Sequence, residues 1–184
     1  QGRPQGWYAV VETSLGSFTF RLLPEQAPQT VAHFAAYATG RMEFVDPYTG
    51  NKKKVPFYDG IAIHKTKFAQ RFEAGDPTGT GHGMPPVWVP AEPGPVNFSR
   101  PYRVGMTASS MKRISGVLFF VTVVAEPYFN ASHNCFGEIV EGREVERAVV
   151  PREDAVDALE RGDLGQIVDR GEADDPLAQV YLAD

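Results

Sequence analysis

One cysteine, Cys135, is all the thiol chemistry that the 184 residues contain. It excludes an internal disulfide framework and any cysteine-based metal centre, and a buried, inert thiol is the expectation. No apolar run approaches the roughly 20 residues that a membrane-crossing helix needs, so no membrane span is expected. No basic stripe interleaved with aromatic residues is present, and nucleic acid is not expected as a partner. Lys52-Lys53-Lys54 reads as a solvated loop tip. The chain opens on Gln1 without an initiator Met or an apolar leader, and an upstream segment is expected to have been removed.

What is present is a hydrophobic content of 42% and an aromatic content of 11%, enough for one domain with a substantial core spanning residues 1–184. The net charge of -5 is uneven: residues 152–184 carry ten acidic groups against three arginines, an acidic extension on a nearly neutral body. "WYAVVETSLGSFTFRLL" predicts two strands around a turn at Gly16. In "PEQAPQTVAHFAAYATG", Ala27, Val31, Phe34, Ala35 and Ala38 recur at helical spacing, with Pro28 at the start and Gly40 at the stop. Residues 41–56 predict a polar loop, "FYDGIAIH" a strand after an Asp-Gly turn, and residues 75–101 little regular structure. "YRVGMTAS", "GVLFFVTVV" and "HNCFGEIVEG" predict further strands, "REVERAVV" opens a second helix, and "GQIVDR" and "AQVYLAD" are candidate strands near the end. Many strands with two helices and long loops point to an all-β barrel or sandwich with helical caps, and argue against a doubly wound nucleotide fold.

The chemistry-bearing motifs mostly exclude. "GDPTGTGHG" has the glycines of a phosphate cradle, but no Lys-Ser or Lys-Thr follows it, and prolines and a Trp stand where the helix of a P-loop would begin. His64 and His82 have no third ligand at a familiar metal spacing, so no metal and no cofactor is expected. No G-x-S-x-G elbow accompanies the serines at 109, 110 and 115.

The segments "TSLGSFTFRLLPEQAPQTVAHF", "PFYDGIAIHK", "GDPTGTG", "GVLFFVT" and "HNCFGEIVEG", in that order, resemble the cyclophilin-type peptidyl-prolyl isomerases over residues 9–150. The resemblance implies a mainly β fold, an eight-stranded antiparallel barrel capped by two helices, whose glycine loop frames a groove for extended peptide. It implies an enzyme acting on X-Pro bonds, with Pro-containing polypeptides as partners and a monomer as the working state. Such catalysis must overcome about 18–20 kcal/mol of amide resonance. It uses an apolar pocket for the proline ring and a donor near the prolyl nitrogen, without nucleophile or metal.

The family's residues carry over unevenly. Lys65 stands at the family's catalytic Arg, directly after the strand His. Gln70 and Arg71 stand at the Phe and Met of the following loop, Glu73 at the first Gln and Leu118 at the second. Phe120 and His133 match directly, while Tyr128 takes the position of a Trp-like ring and Phe129 that of a Leu. Lys65 is the expected catalytic donor; Gln70, Arg71, Glu73, Leu118, Phe120, Tyr128, Phe129 and His133 are the expected substrate-binding residues. Lys offers a mobile point charge where Arg offers a rigid fork, and Glu73 can pair with Lys65 or Arg71. The departures at 65, 73 and 118 imply low or lost activity, with a non-catalytic module that binds Pro-containing or extended peptides as the alternative. The longer 41–56 loop is similar to that of bacterial members, leaving export to the periplasm or cell envelope and the cytoplasm both open.

Overall fold

Alternating apolar residues build a hairpin from β1 (Tyr8–Thr13) and β2 (Gly16–Leu22), joined where Gly16 adopts a φ of +125°. The computed structural model describes residues 4–67, 69–83, 87–109, 111, 113–145 and 179–183. Helix α1 follows at Pro28–Ala38 and buries Val31, Phe34, Tyr37 and Ala38. Next come the short strands β3 (Phe44–Val45) and β4 (Lys52–Lys53), then β5 (Lys65–Lys67), β6 (Arg71–Ala74), β7 (Trp88–Val89), β8 (Arg103–Ala108), β9 (Ile114–Thr122), β10 (Cys135–Glu141) and β11 (Gln179–Ala183). The main sheet runs β11-β1-β2-β10-β8-β9-β6-β5, with β7 also paired to β9, and every pairing is antiparallel. These nine strands in one curled sheet, eight on the continuous path and β7 beside β9, form the mainly β, barrel-like body. A second helix opens at residues 143–145. "GQIVDR" and the remainder of that helix lie outside the described residues.

Phe34 carries α1 into the main core, where its ring lies 5.5 Å from Phe20, 5.3 Å from Phe136, 6.0 Å from Phe119 and 5.1 Å from Tyr58. Tyr58 is buried and donates its hydroxyl to the Val117 carbonyl at 3.0 Å, which removes the penalty of an unpaired buried polar group. Side chains alternate across a strand. Phe119 and Val121 of β9 therefore face this core while Phe120 enters a second cluster with Phe98, Phe129 and Cys135. Gly105 makes the second cluster possible: a Cβ there would meet both the Phe120 and the Phe98 ring at 2.5 Å.

Two expectations are corrected. "FYDGIAIH" is not a strand: residues 57–60 form a bend and turn with Gly60 at a φ of +75°, Ile61 makes an isolated bridge, and the strand begins at Lys65. Phe57, Tyr58 and Ile61 are buried one by one from a turn, which imitates strand alternation in the sequence. The 41–56 loop contains the β3–β4 hairpin. Its turn is held by Asp46, whose carboxylate accepts from the Tyr48 and Thr49 amides and pairs with Lys53. The Lys53 contact, with the Thr49 bonds, holds the Asp46 carboxyl far below the usual carboxylate range.

The irregular 90–98 stretch is fixed by side chains. Glu92 accepts the amides of Gln29 and Thr30, each at 2.9 Å, capping α1 from 62 residues away where Ala27 offers no cap. Asn134 accepts the Glu92 amide and donates to Thr30 Oγ1 and the Pro90 carbonyl. Gln26 exchanges two bonds with Val96, and the Phe98 amide donates to Asn130. Phe98 is thereby held against Phe120.

Candidate active site

Strand register lays out the site. Lys65 pairs with Glu73, Glu73 with Phe120, Phe120 with Gly105, and Gly105 with Cys135, one row across five strands. Directly opposed residues share a face. The row thus runs from a cation through a carboxylate to an aromatic cluster. Arg71, two residues before Glu73 on β6, lies on the same face. The segment after β9 supplies Glu126, and a 3-10 turn at Pro127–Phe129 presents Tyr128 and Phe129, with His133 following.

The charged groups are mutually engaged. Lys65 Nζ lies 2.9 Å from Glu73 Oε1, which also lies 3.5 Å from Arg71 Nε. Arg71 Nη1 donates to Glu126 Oε1 at 2.7 Å and to the Tyr128 hydroxyl at 2.8 Å, and that hydroxyl donates to the same Glu126 oxygen at 2.8 Å. Glu126 is 3% exposed, and its Oε2 has no hydrogen-bond partner among the described residues. The Arg71 guanidinium carbon sits 4.9 Å over the Phe129 ring. Beneath it, Phe129 lies 4.8 Å from Phe120 and 4.4 Å from His133, and Phe98 lies 5.2 Å from Phe120. Partial burial, then the bond to Glu126, raises the Tyr128 phenol. Burial, aided by the Arg71 charge, holds the His133 imidazole down to about 4, and its Nδ1 lies 2.8 Å from Ser132 Oγ.

The structure brings Lys65, Arg71, Glu73, Phe120, Tyr128, Phe129 and His133 into one contact network. Gln70 is half-buried beside it, lining an open groove with Ala69, Val124 and Pro127. Leu118 shares the Phe120 face of β9 by strand alternation but packs against the main core. Sequence reasoning missed Glu126 and Phe98. Glu126 follows a strand end at no diagnostic spacing, and Phe98 sits in a stretch whose order comes from remote side chains.

The glycine loop is closed around an anion of its own. Asp76 is 1% exposed and accepts from the Thr78 amide and hydroxyl and from the Gly83 amide. Burial pushes the Asp76 carboxyl up, but these bonds and one from Gly81 outweigh it and leave the pKa lowered. A phosphate would face that carboxylate. Among the described residues no three His, Cys, Asp or Glu side chains gather in a way that could hold a metal ion. Cys135 is buried, and burial pushes its thiol up to about 12. No helix among the described residues is long and apolar enough to cross a membrane.

The family model for cyclophilin type peptidyl-prolyl cis-trans isomerase/CLD matches residues 8–168. The chain belongs to this family. It is 37% identical to peptidyl-prolyl cis-trans isomerase B of Streptomyces anulatus over 133 residues, covering 72% of this chain and 75% of that protein. It is 34% identical to peptidyl-prolyl cis-trans isomerase A of Mycobacterium tuberculosis over 134 residues, 72% of this chain and 73% of that one. A cyclophilin-type isomerase of Cryptosporidium parvum, crystallised in the presence of the dipeptide Ala-Pro, shares the fold with a TM-score of 0.68. At 21% identity it covers 96% of this chain and 99% of its own.

Proposed function

We propose that this chain is a peptidyl-prolyl cis-trans isomerase of low activity on X-Pro bonds in polypeptides, with Lys65 as the donor to the prolyl nitrogen. Family membership and the names of the relatives support the reaction. The single observation that carries the low activity is the Lys65–Glu73 ion pair at 2.9 Å. A twisting amide localises its lone pair on nitrogen, and a donor that meets it must leave its ground-state partner first. Lys65 is exposed and a lysine stem is flexible, so it can do so, but the carboxylate competes at every turnover. A second reading, a module that binds Pro-containing or extended peptides without turnover, is favoured by the same pair and by the burial of Phe120.

The test is exchange spectroscopy on an Ala-Pro peptide, with the Streptomyces relative measured alongside. The expected kcat/KM lies about 100-fold or more below that relative, the scale of a lost transition-state donor. Equal rates would refute low activity. Peptide binding with no acceleration would select the binding module. Lys65→Arg alone is expected to change the rate by less than about threefold, because Glu73 would hold the new guanidinium in a bidentate pair. Lys65→Arg with Glu73→Gln is expected to raise it by about tenfold or more, since the two positions act as one unit. Full recovery from the single change would show that Glu73 does not compete.

A further inference from the structure

The aromatic cluster that the isomerase reading needs as a proline seat has no open face. Phe120 is 2% exposed and Phe129 8%, whereas the neighbouring Tyr128 is 58% exposed. The atoms that cover Phe129 include the Arg71 guanidinium, 4.9 Å above the ring. The open groove lies to one side, lined by Ala69, Gln70, Val124 and Pro127, and meets the network at Glu126 and Tyr128.

We infer that Arg71 is the residue that decides which side chains reach the aromatic seat: its guanidinium occupies the space over Phe129 that a prolyl ring needs, and substrate enters by displacing it. The inference deepens the isomerase reading and rests on it. Three features of the chain converge on Arg71. Its guanidinium carbon lies over an aromatic ring at 4.9 Å, within the reach of a cation–π contact. It bridges carboxylates from two different elements, Glu73 on β6 and Glu126 before the 3-10 turn. Tyr128 then ties the far side by bonding both Arg71 and Glu126. A side chain resting on a solvated rim would need none of these anchors, and Glu126 would not be buried without a cation to compensate it. Because Glu126 is buried against Arg71, the covered state is favoured, and apparent peptide affinity is reduced by the fraction of molecules in which the seat is uncovered.

The test uses the full chain and a proline peptide, Ala-Pro flanked by neutral residues, followed by NMR titration and by exchange spectroscopy. Arg71→Met alone strands the buried Glu126 carboxylate, so the variant measured beside it is Arg71→Met with Glu126→Gln, with folding verified by thermal melts. The double variant is expected to bind the peptide about tenfold or more tightly than the native chain, with ring shifts at Phe129 and His133 on titration. In steady-state assays the gain falls on KM. Arg71→Lys, which keeps the charge but loses the planar fork, is expected to lie between. A folded double variant that binds no better than the native chain overturns the inference. So does one in which KM is unchanged and any gain falls on kcat. Tighter binding with no exchange in any variant leaves the access role standing and refutes the isomerase reading. Native isomerisation with no gain in the double variant does the reverse.

Discussion

His133 shows how much of the site's behaviour is set by what surrounds a single ring. It matches the family pattern, yet its imidazole packs against Phe120 and Phe129, with Arg71 repelling its charged form and Glu73 opposing that effect. Its folded pKa of about 4 lies below the ordinary value of 6.5, so the neutral ring is the native form. The unfolded chain therefore binds a proton that the folded chain refuses between these values. The stability that His133 contributes is complete above about pH 6.5 and declines as pH falls towards 4. Melting temperature should fall across that window by on the order of 3–5 °C from this group, a figure discounted because the ring is partly solvated. His133→Gln should flatten the slope between pH 6.5 and 4. The acid loss from Asp76 comes at lower pH because its pKa is lowered, so it should persist in the variant. An unchanged slope between pH 6.5 and 4 in His133→Gln would assign the titration to other groups.

At the scale of elements, the strands that alternate or are buried on both faces were legible in the sequence, as β1, β2, β8, β9 and β10 show. Helix α1 was legible too, from Val31, Phe34 and Ala38 at helical spacing. The elements misread are those whose order is not periodic. The turn at 57–60 buries large side chains without a ladder, and β3–β4 is an exposed hairpin set by Asp46. The candidate site was legible where it followed family positions. Glu126 was not, because its significance arises only when Arg71 arrives from another strand. The 90–98 stretch has no pattern because Gln26, Asn130 and Asn134 hold it from elsewhere in the chain. Glu92 is the joint between this stretch and α1. Glu92→Ala should leave the Gln29 and Thr30 amides uncapped and cost about 1–2 kcal/mol, read as a shift in the urea midpoint at constant slope. Adding Asn134→Ala should cost less than the sum of the two single changes, because the two residues share Thr30 and the Glu92 amide. A neutral Glu92→Ala would mean that water caps the helix equally well.

Across the whole molecule the sheet order separates stability from the site. β11 runs beside β1, from Tyr8 opposite Ala183 to Glu12 opposite Gln179, so the two ends of the chain close one end of the path. The candidate site lies at the other end, on β9, β6 and β5. Without β11, the outer backbone groups of β1 lose the ladder that pairs them and become an open edge for another chain. A chain shortened after residue 178 should therefore melt about 5 °C or more below the full chain, the shift expected for losing a few ladder hydrogen bonds. It should also self-associate more readily at high concentration. Its affinity for an X-Pro peptide, measured well below the melting point, should match that of the full chain, because β11 pairs with β1 at the end of the sheet path opposite the site. Loss of peptide affinity in a folded truncation would show that the closing strand supports the site through the sheet. An unchanged melting temperature would show that the β1 edge is stable without its partner.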